Sequence, residues 1–199
     1  MKFEQVGVRM TAEEYSERNA KSKKMLLWFA MASMFMMFAG LTSAYVVSTS
    51  RPDWLNDFVL PQAFMISTAV IVLSSVTFHM AKNAAKSNNH SGATMWLMAT
   101  LALGIGFVAA QFYGFSQVVA SGYYFTGPES TVTTSFLYIV SLVHIAHLFA
   151  GLIVLLVVIY NHFKQKYNSS QTLGIELGAM FWHFLDILWV YLFLFFYFY

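Results

Sequence analysis

Five apolar runs take up most of this 199-residue chain and leave it few folds to choose from. They cover about Met25–Ser48, Pro61–Ala81, Met95–Val118, Thr133–Tyr160 and Leu177–Tyr199. Roughly 20 predominantly apolar residues, wound as a helix, cross the ~30 Å hydrocarbon layer of a bilayer. A helix suits that layer because it satisfies its own backbone hydrogen bonds where no water can. With 58% hydrophobic and only 10% charged residues, the chain lies far from soluble-domain composition. The expected fold class is therefore all-α: a polytopic five-transmembrane-helix bundle, with residues 1–24 as a tail and 25–199 as the membrane domain. The connections are too short to hold a soluble catalytic domain. The chain has no Cys, which excludes disulfides, iron–sulfur clusters and thiolate metal sites. Residues 1–24 carry no cleavable signal pattern.

Orientation is read from Lys and Arg. Lys2, Arg9, Arg18, Lys21, Lys23 and Lys24 precede the first span, Lys82 and Lys86 follow the second, and Lys164 and Lys166 follow the fourth. Arg51 alone lies in the loops on the other side. Ten against one predicts a cytoplasmic N-terminus and an external C-terminus. The net charge of +2 is thus a topological signal, and nothing in it points to nucleic acid. Thr11-Ala12-Glu13-Glu14 has the form of a capping box, set in a tail otherwise expected to be solvated.

Several features inside the spans concern packing. The methionines of the first span, from Met25 to Met37, read as gap-fillers, since no His or Cys accompanies them. The second span offers Ser67-Thr68 and Ser74-Ser75-Val76-Thr77, hydroxyls that can bond a neighbouring helix. In the third span Ala102, Gly106, Ala110 and Gly114 recur every four residues and predict a ridge of small residues for close helix approach. Gly174 and Gly178 repeat that spacing. Gln111, inside the membrane, requires a hydrogen-bonding partner. His79, at the end of the second span, is expected to be solvated.

The ionisable groups of the last two spans carry the chemical interest. His144 and His147 lie on one face of the fourth span; His183 and Asp186 lie in Phe181-Trp182-His183-Phe184-Leu185-Asp186-Ile187-Leu188-Trp189, with Glu176 just before it. A charged Asp inside a span costs roughly 3 kcal/mol or more without a partner. At ~1.5 Å per residue, His147 and Asp186 reach similar depths on adjacent antiparallel helices, which predicts a buried His–Asp hydrogen bond. Metal binding, a proton relay and a structural network are the three readings of the set. Metal binding lacks chelating spacings repeated across helices, and a relay has only Glu176 to extend it. The network pinning the fourth and fifth helices is favoured.

That nine-residue run resembles the Trp-His-Phe-Val-Asp-Val-Val-Trp signature of the cytochrome c oxidase subunit III family. Val143-His144-Ile145-Ala146-His147 with Gly151 resembles the family's His-Gly-Leu-His…Gly segment. Leu60-Pro61, Ser67-Thr68 and Ser74-Ser75-Val76-Thr77 are similar to its Leu-Pro…Asn-Thr…Ser-Ser-Val-Thr helix. Trp28 to Tyr45 resembles the helix before that, and Gln111-Phe112-Tyr113 its Gln-Ala-Tyr. Five matches in the right order span nearly the whole chain, and five helices fit the family's short bacterial form. Two acids are missing: Ala32-Ser33 is followed by Met34 where the family has Glu, and Gly114 stands where another Glu follows Gln-Ala-Tyr. Functions resting on those acids are not carried over.

The resemblance implies a non-catalytic subunit of a proton-pumping haem-copper terminal oxidase in aerobic respiration, set in the inner membrane of a bacterium with the C-terminus periplasmic. No haem or copper is expected on this chain, since the family's partner subunits I and II hold both. It further implies packing on subunit I, bound phospholipid in a cleft, and support of proton uptake and O₂ access, with a larger respiratory supercomplex as a further setting. The same residues leave open a quinol oxidase, the five-helix accessory protein of nitric oxide reductase and, in a different class, a small proton-coupled transporter using the His and Asp set. A transporter of that kind predicts paired broken helices and inverted repeats, which five unbroken spans do not offer.

Overall fold

Each apolar run forms one continuous helix in the computed structural model, which describes residues 11–55, 60–128, 130–167 and 171–198. Lys2, Glu4, Arg9 and Tyr199 lie outside the described residues. The helices are α1 (Ala12–Val47), α2 (Gln62–Lys86), α3 (His90–Ala120), α4 (Val132–Phe163) and α5 (Leu173–Phe198), and a single 3₁₀ turn, Ser48–Ser50, ends the first. All five are long and apolar enough to cross a membrane. The described residues contain no strand; Tyr124 and Ser130 form an isolated bridge. The molecule is an all-helical multi-pass membrane protein.

Local chemistry sets the helix starts. Thr11 and Glu14 close a reciprocal capping box: the Thr11 hydroxyl accepts from the Glu14 amide at 3.2 Å, and the Glu14 carboxylate accepts from the Thr11 amide at 2.8 Å. Two otherwise orphaned amides are satisfied, so helix starts within the tail and continues through Lys24 into the apolar run. The 36 residues of α1 give it a length of roughly 54 Å. Thr131 and Thr134 cap α4 in the same way, and the Asn89 side chain caps α3 through the Gly92 amide. In the α1–α2 loop, a hydrogen bond from Arg51 at 3.0 Å holds the Asp53 carboxyl below its ordinary range. The Leu55 amide fastens the same loop to the Thr133 hydroxyl.

The bundle is built around α5. That helix packs on α1, α2 and α4, while α2 and α3 form the most extensive pair. Trp182, Trp189, Phe38, Phe64, Phe78 and Phe107 fill the interior. The glycines that admit these bulky groups are not the whole of the expected ridge. Gly104 faces Trp182 and Gly151 faces Leu185, so closely that an added Cβ would lie 2.8 and 2.7 Å from those side chains. Gly114 of the ridge lies under Phe64 in the same way. Ala102 and Gly106 face outward, and nothing lies within 4 Å of a Cβ built on Gly106; Ala110 is half-buried between the two environments. The reason is rotational: four-residue spacing at 3.6 residues per turn drifts around the helix, so the stripe turns from the bundle interior to its surface.

Candidate functional site

The polar side chains of the spans gather along the seam between α2 and α5. On α2 the hydroxyls of Ser67, Thr68, Ser74, Ser75 and Thr77 follow one another along one flank. Most of them first bond a carbonyl of their own helix, as Ser67 does to Phe64 at 2.9 Å and Ser74 to Ile71 at 2.8 Å. Their oxygens remain free to accept. The Trp182 indole N–H donates to Ser74 Oγ and the Trp189 indole N–H to Thr68 Oγ1, both at 3.0 Å. Gln111 of α3 donates its amide to Ser67 Oγ at 2.8 Å, and Thr77 shares a bond of 2.8 Å with Thr100. His183 Nδ1 and Ser75 Oγ share the shortest of the set, 2.6 Å. Where hydrocarbon offers no alternative partner, the bonds of Trp182, His183 and Trp189 fix the register of α5 on α2, and those of Gln111 and Thr100 the register of α3 on α2.

Asp186 lies one turn beyond His183 and is buried at 3% exposure. Neither of its carboxyl oxygens has a hydrogen bond of good geometry among the described residues, although Ser75 lies beside it. The His147–Asp186 bond expected from matching depth is not made. His147 Nδ1 instead donates to the Val143 carbonyl of its own helix at 2.8 Å, and its ring meets Phe38 of α1 edge-on at 5.7 Å. Depth fixes only one coordinate of a side chain; rotation about the helix axis fixes the other and turns His147 to α1, Asp186 to α2.

His144 is fully buried among Phe38, Phe107 and Trp189, with ring centroids 6.3, 6.2 and 5.1 Å away. Its two nitrogens, the Ser141 hydroxyl and the Gln111 carbonyl oxygen have no hydrogen-bond partner among the described residues. Glu176 is separate from this interior. It sits where α5 begins and takes Lys86 at 2.7 Å and Lys24 at 3.4 Å, with the Thr172 hydroxyl donating at 3.1 Å. Lys24, about three turns into α1, the end of α2 and the start of α5 therefore meet at one basic rim.

The six polar residues singled out in the sequence thus fall into four environments: His183 and Asp186 on the α2–α5 seam with Gln111 tied to it from α3, His144 in the aromatic interior, His147 against α1, and Glu176 at the rim. Among the described residues no three His, Asp or Glu converge in a way that could hold a metal ion. Ser75, expected only as one of several hydroxyls able to bond a neighbouring helix, is the one that takes His183. The His79 ring is exposed yet lies 6.3 Å from that of His183. A signal that could have located the seam is the spacing of Trp182 and Trp189, about two turns apart on α5, which matches the two hydroxyl pairs about two turns apart on α2.

Two grooves flank α5. One, of about 470 Å³, is apolar and runs between α1, α4 and α5 past Leu27, Met34, Val157 and Phe181. Through Tyr167 and Gly174 it borders a polar recess that holds Lys24 and Lys166. The other, of about 530 Å³, lies between α1, α2 and α5 and is lined by Trp28, Lys82, Lys86, Glu176 and His183.

Comparison with known proteins supplies the kinship of this arrangement. A model of the family described as cytochrome c oxidase subunit III matches residues 16–199. A cytochrome c oxidase subunit 3 of a Bacillus species is 28% identical over 196 residues, 93% of each chain. A probable cytochrome c oxidase subunit 3 of Nocardia farcinica is 31% identical over 180 residues, 88% of this chain and 86% of its own. The cytochrome bo(3) ubiquinol oxidase subunit 3 of Pseudomonas putida is 29% identical over 160 residues, 80% of this chain and 73% of its own.

Proposed function

Since this chain belongs to the cytochrome c oxidase subunit III family, we propose that it is the non-redox third subunit of a bacterial haem-copper terminal oxidase. In that assembly it packs against subunit I, alongside subunit II, in the inner membrane with its N-terminus cytoplasmic. Haem and copper belong to the partner subunits, and the work of this one is to hold the assembly together and sustain proton uptake and O₂ access. The observation that carries the reading is the use made of the signature residues: Trp182, His183 and Trp189 are bonded inward to α2 hydroxyls. Side chains engaged in this way fix α5 against α2 as a rigid wall.

The apolar groove past Leu27, Met34 and Phe181 fits the acyl chain of a phospholipid. Its continuation to Lys24 and Lys166 places cations where an anionic headgroup would lie. Met34, where the family has Glu, suits such a groove, because an apolar side chain there needs no charge partner.

The test is purification through an affinity tag on the N-terminus in mild detergent, followed by a reduced-minus-oxidised visible spectrum. Haem bands and two larger co-purifying subunits are expected, with oxidation of reduced cytochrome c preferred over that of a quinol. A colourless solitary chain overturns the assignment.

A further inference from the structure

The fold brings together groups that sequence reasoning did not link for a proton relay. The groove between α1, α2 and α5 opens at the basic rim and is lined by His183 well along α5. From His183 the contacts lead inward. Its Nδ1 lies 2.6 Å from Ser75 Oγ, and Ser75 lies beside the buried Asp186. The other ring nitrogen, Nε2, is buried beside the groove that His183 lines and has no hydrogen-bond partner among the described residues. An imidazole with one nitrogen engaged and the other unengaged can take a proton on one side and release one on the other. The carboxyl at the end of the chain has both oxygens available. A carboxylate oxygen accepts a proton, so a proton is what this site can hold.

We propose that Asp186 is a proton-exchange site, loaded and unloaded from the basic rim through His183 and Ser75. In loading, an incoming proton bonds to Nε2 of His183 as the Nδ1–H bond breaks. The Nδ1 proton passes to Ser75 Oγ, whose own hydroxyl proton passes to a carboxylate oxygen of Asp186. The net change is one carboxylate become a carboxylic acid, with imidazole and hydroxyl both neutral again; unloading runs in reverse. The groups that set the field along this route are His79, Lys82 and Lys86 on α2, Glu176 on α5, and Lys24 on α1, which pairs with Glu176. From α4, His147 bonds the Val143 carbonyl of its own helix and His144 is enclosed by Phe38, Phe107 and Trp189, so neither joins it. The proposal deepens the proton-uptake role and rests on it only for the use made of the proton; the route is a property of this chain.

The experiment is infrared spectroscopy of the intact assembly during transfer into D₂O, following the carboxylic-acid stretch. A band lost in Asp186→Asn and displaced in Asp186→Glu identifies the site, and the second variant keeps the test available where the first does not assemble. Removing a relay group should slow deuterium exchange of that band by about tenfold or more in Ser75→Ala and in His183→Phe. Ser75→Thr, which keeps a hydroxyl, should restore the rate, and His144→Gln should leave it unchanged. Equal exchange rates in wild type, Ser75→Ala and His183→Phe overturn the route, and absence of any band that follows residue 186 overturns the site. Neither result touches co-purification with haem, so failure here and failure of the family role are separately visible.

Discussion

Adding one methyl group at Gly104 should test how rigidly α5 is held. The Cβ of Gly104→Ala lands 2.8 Å from Trp182 Cη2, 3.1 Å from Cζ2 and 3.2 Å from a methyl of Leu152. Relaxed carbon–carbon contacts lie at about 3.5–4.0 Å, so the indole must retreat by roughly 0.7 Å or more. It is poorly placed to do so. Its N–H is tied to Ser74 at 3.0 Å and its edge meets Phe78, with centroids 6.2 Å apart. Overpacking of this kind costs about 1–3 kcal/mol, against which alanine returns about 1 kcal/mol of helix propensity. The expected net loss is about 1 kcal/mol. In a Trp182→Phe background the ring atoms that clash are gone, and the same Gly104→Ala change should stabilise by up to about 1 kcal/mol. The coupling in the cycle is therefore about 2 kcal/mol, well beyond the ~0.5 kcal/mol expected of independent sites. Unfolding in mixed micelles with increasing SDS, followed by circular dichroism, reads all four proteins. An effect of Gly104→Ala with the same sign and size in both backgrounds refutes the account of a pinned indole.

Three further outcomes follow from the same seam and its surroundings. Ser67→Ala leaves the buried Gln111 amide without its acceptor and should cost about 1–3 kcal/mol, whereas Gln111→Leu also removes the partnerless carbonyl oxygen and should cost less. The reverse order in unfolding midpoints contradicts the bond. His147→Ala and Asp186→Ala should be additive within about 0.5 kcal/mol, because His147 is bonded to its own helix; strong coupling restores the His–Asp pair. Glu176→Gln breaks two half-exposed ion pairs and should cost no more than about 1 kcal/mol at low salt. That difference should shrink in concentrated salt, where screening acts over a few ångströms, and a salt-independent loss contradicts a surface role.

What the sequence determined by itself was whatever depends on chain-local chemistry. Five spans follow from the length of the apolar runs, since each must satisfy its backbone within one segment. The capping boxes of Thr11 and Thr131 could be read from side chains three residues apart, although the first also carried helix back into a tail expected to be solvated. That Gln111 needs a partner was legible, because a buried amide cannot go unpaired without cost. The partner itself was not. Tertiary structure alone decided the rotation of each helix about its axis, a quantity blurred when every face is apolar and amphipathicity gives no bearing. For that reason depth alone placed His147 opposite Asp186, and a four-residue repeat put Gly106 in the core. Packing turned His147 to Phe38, turned Gly106 outward, and brought Ser75 and His183 beside an acid that the sequence had assigned to another neighbour.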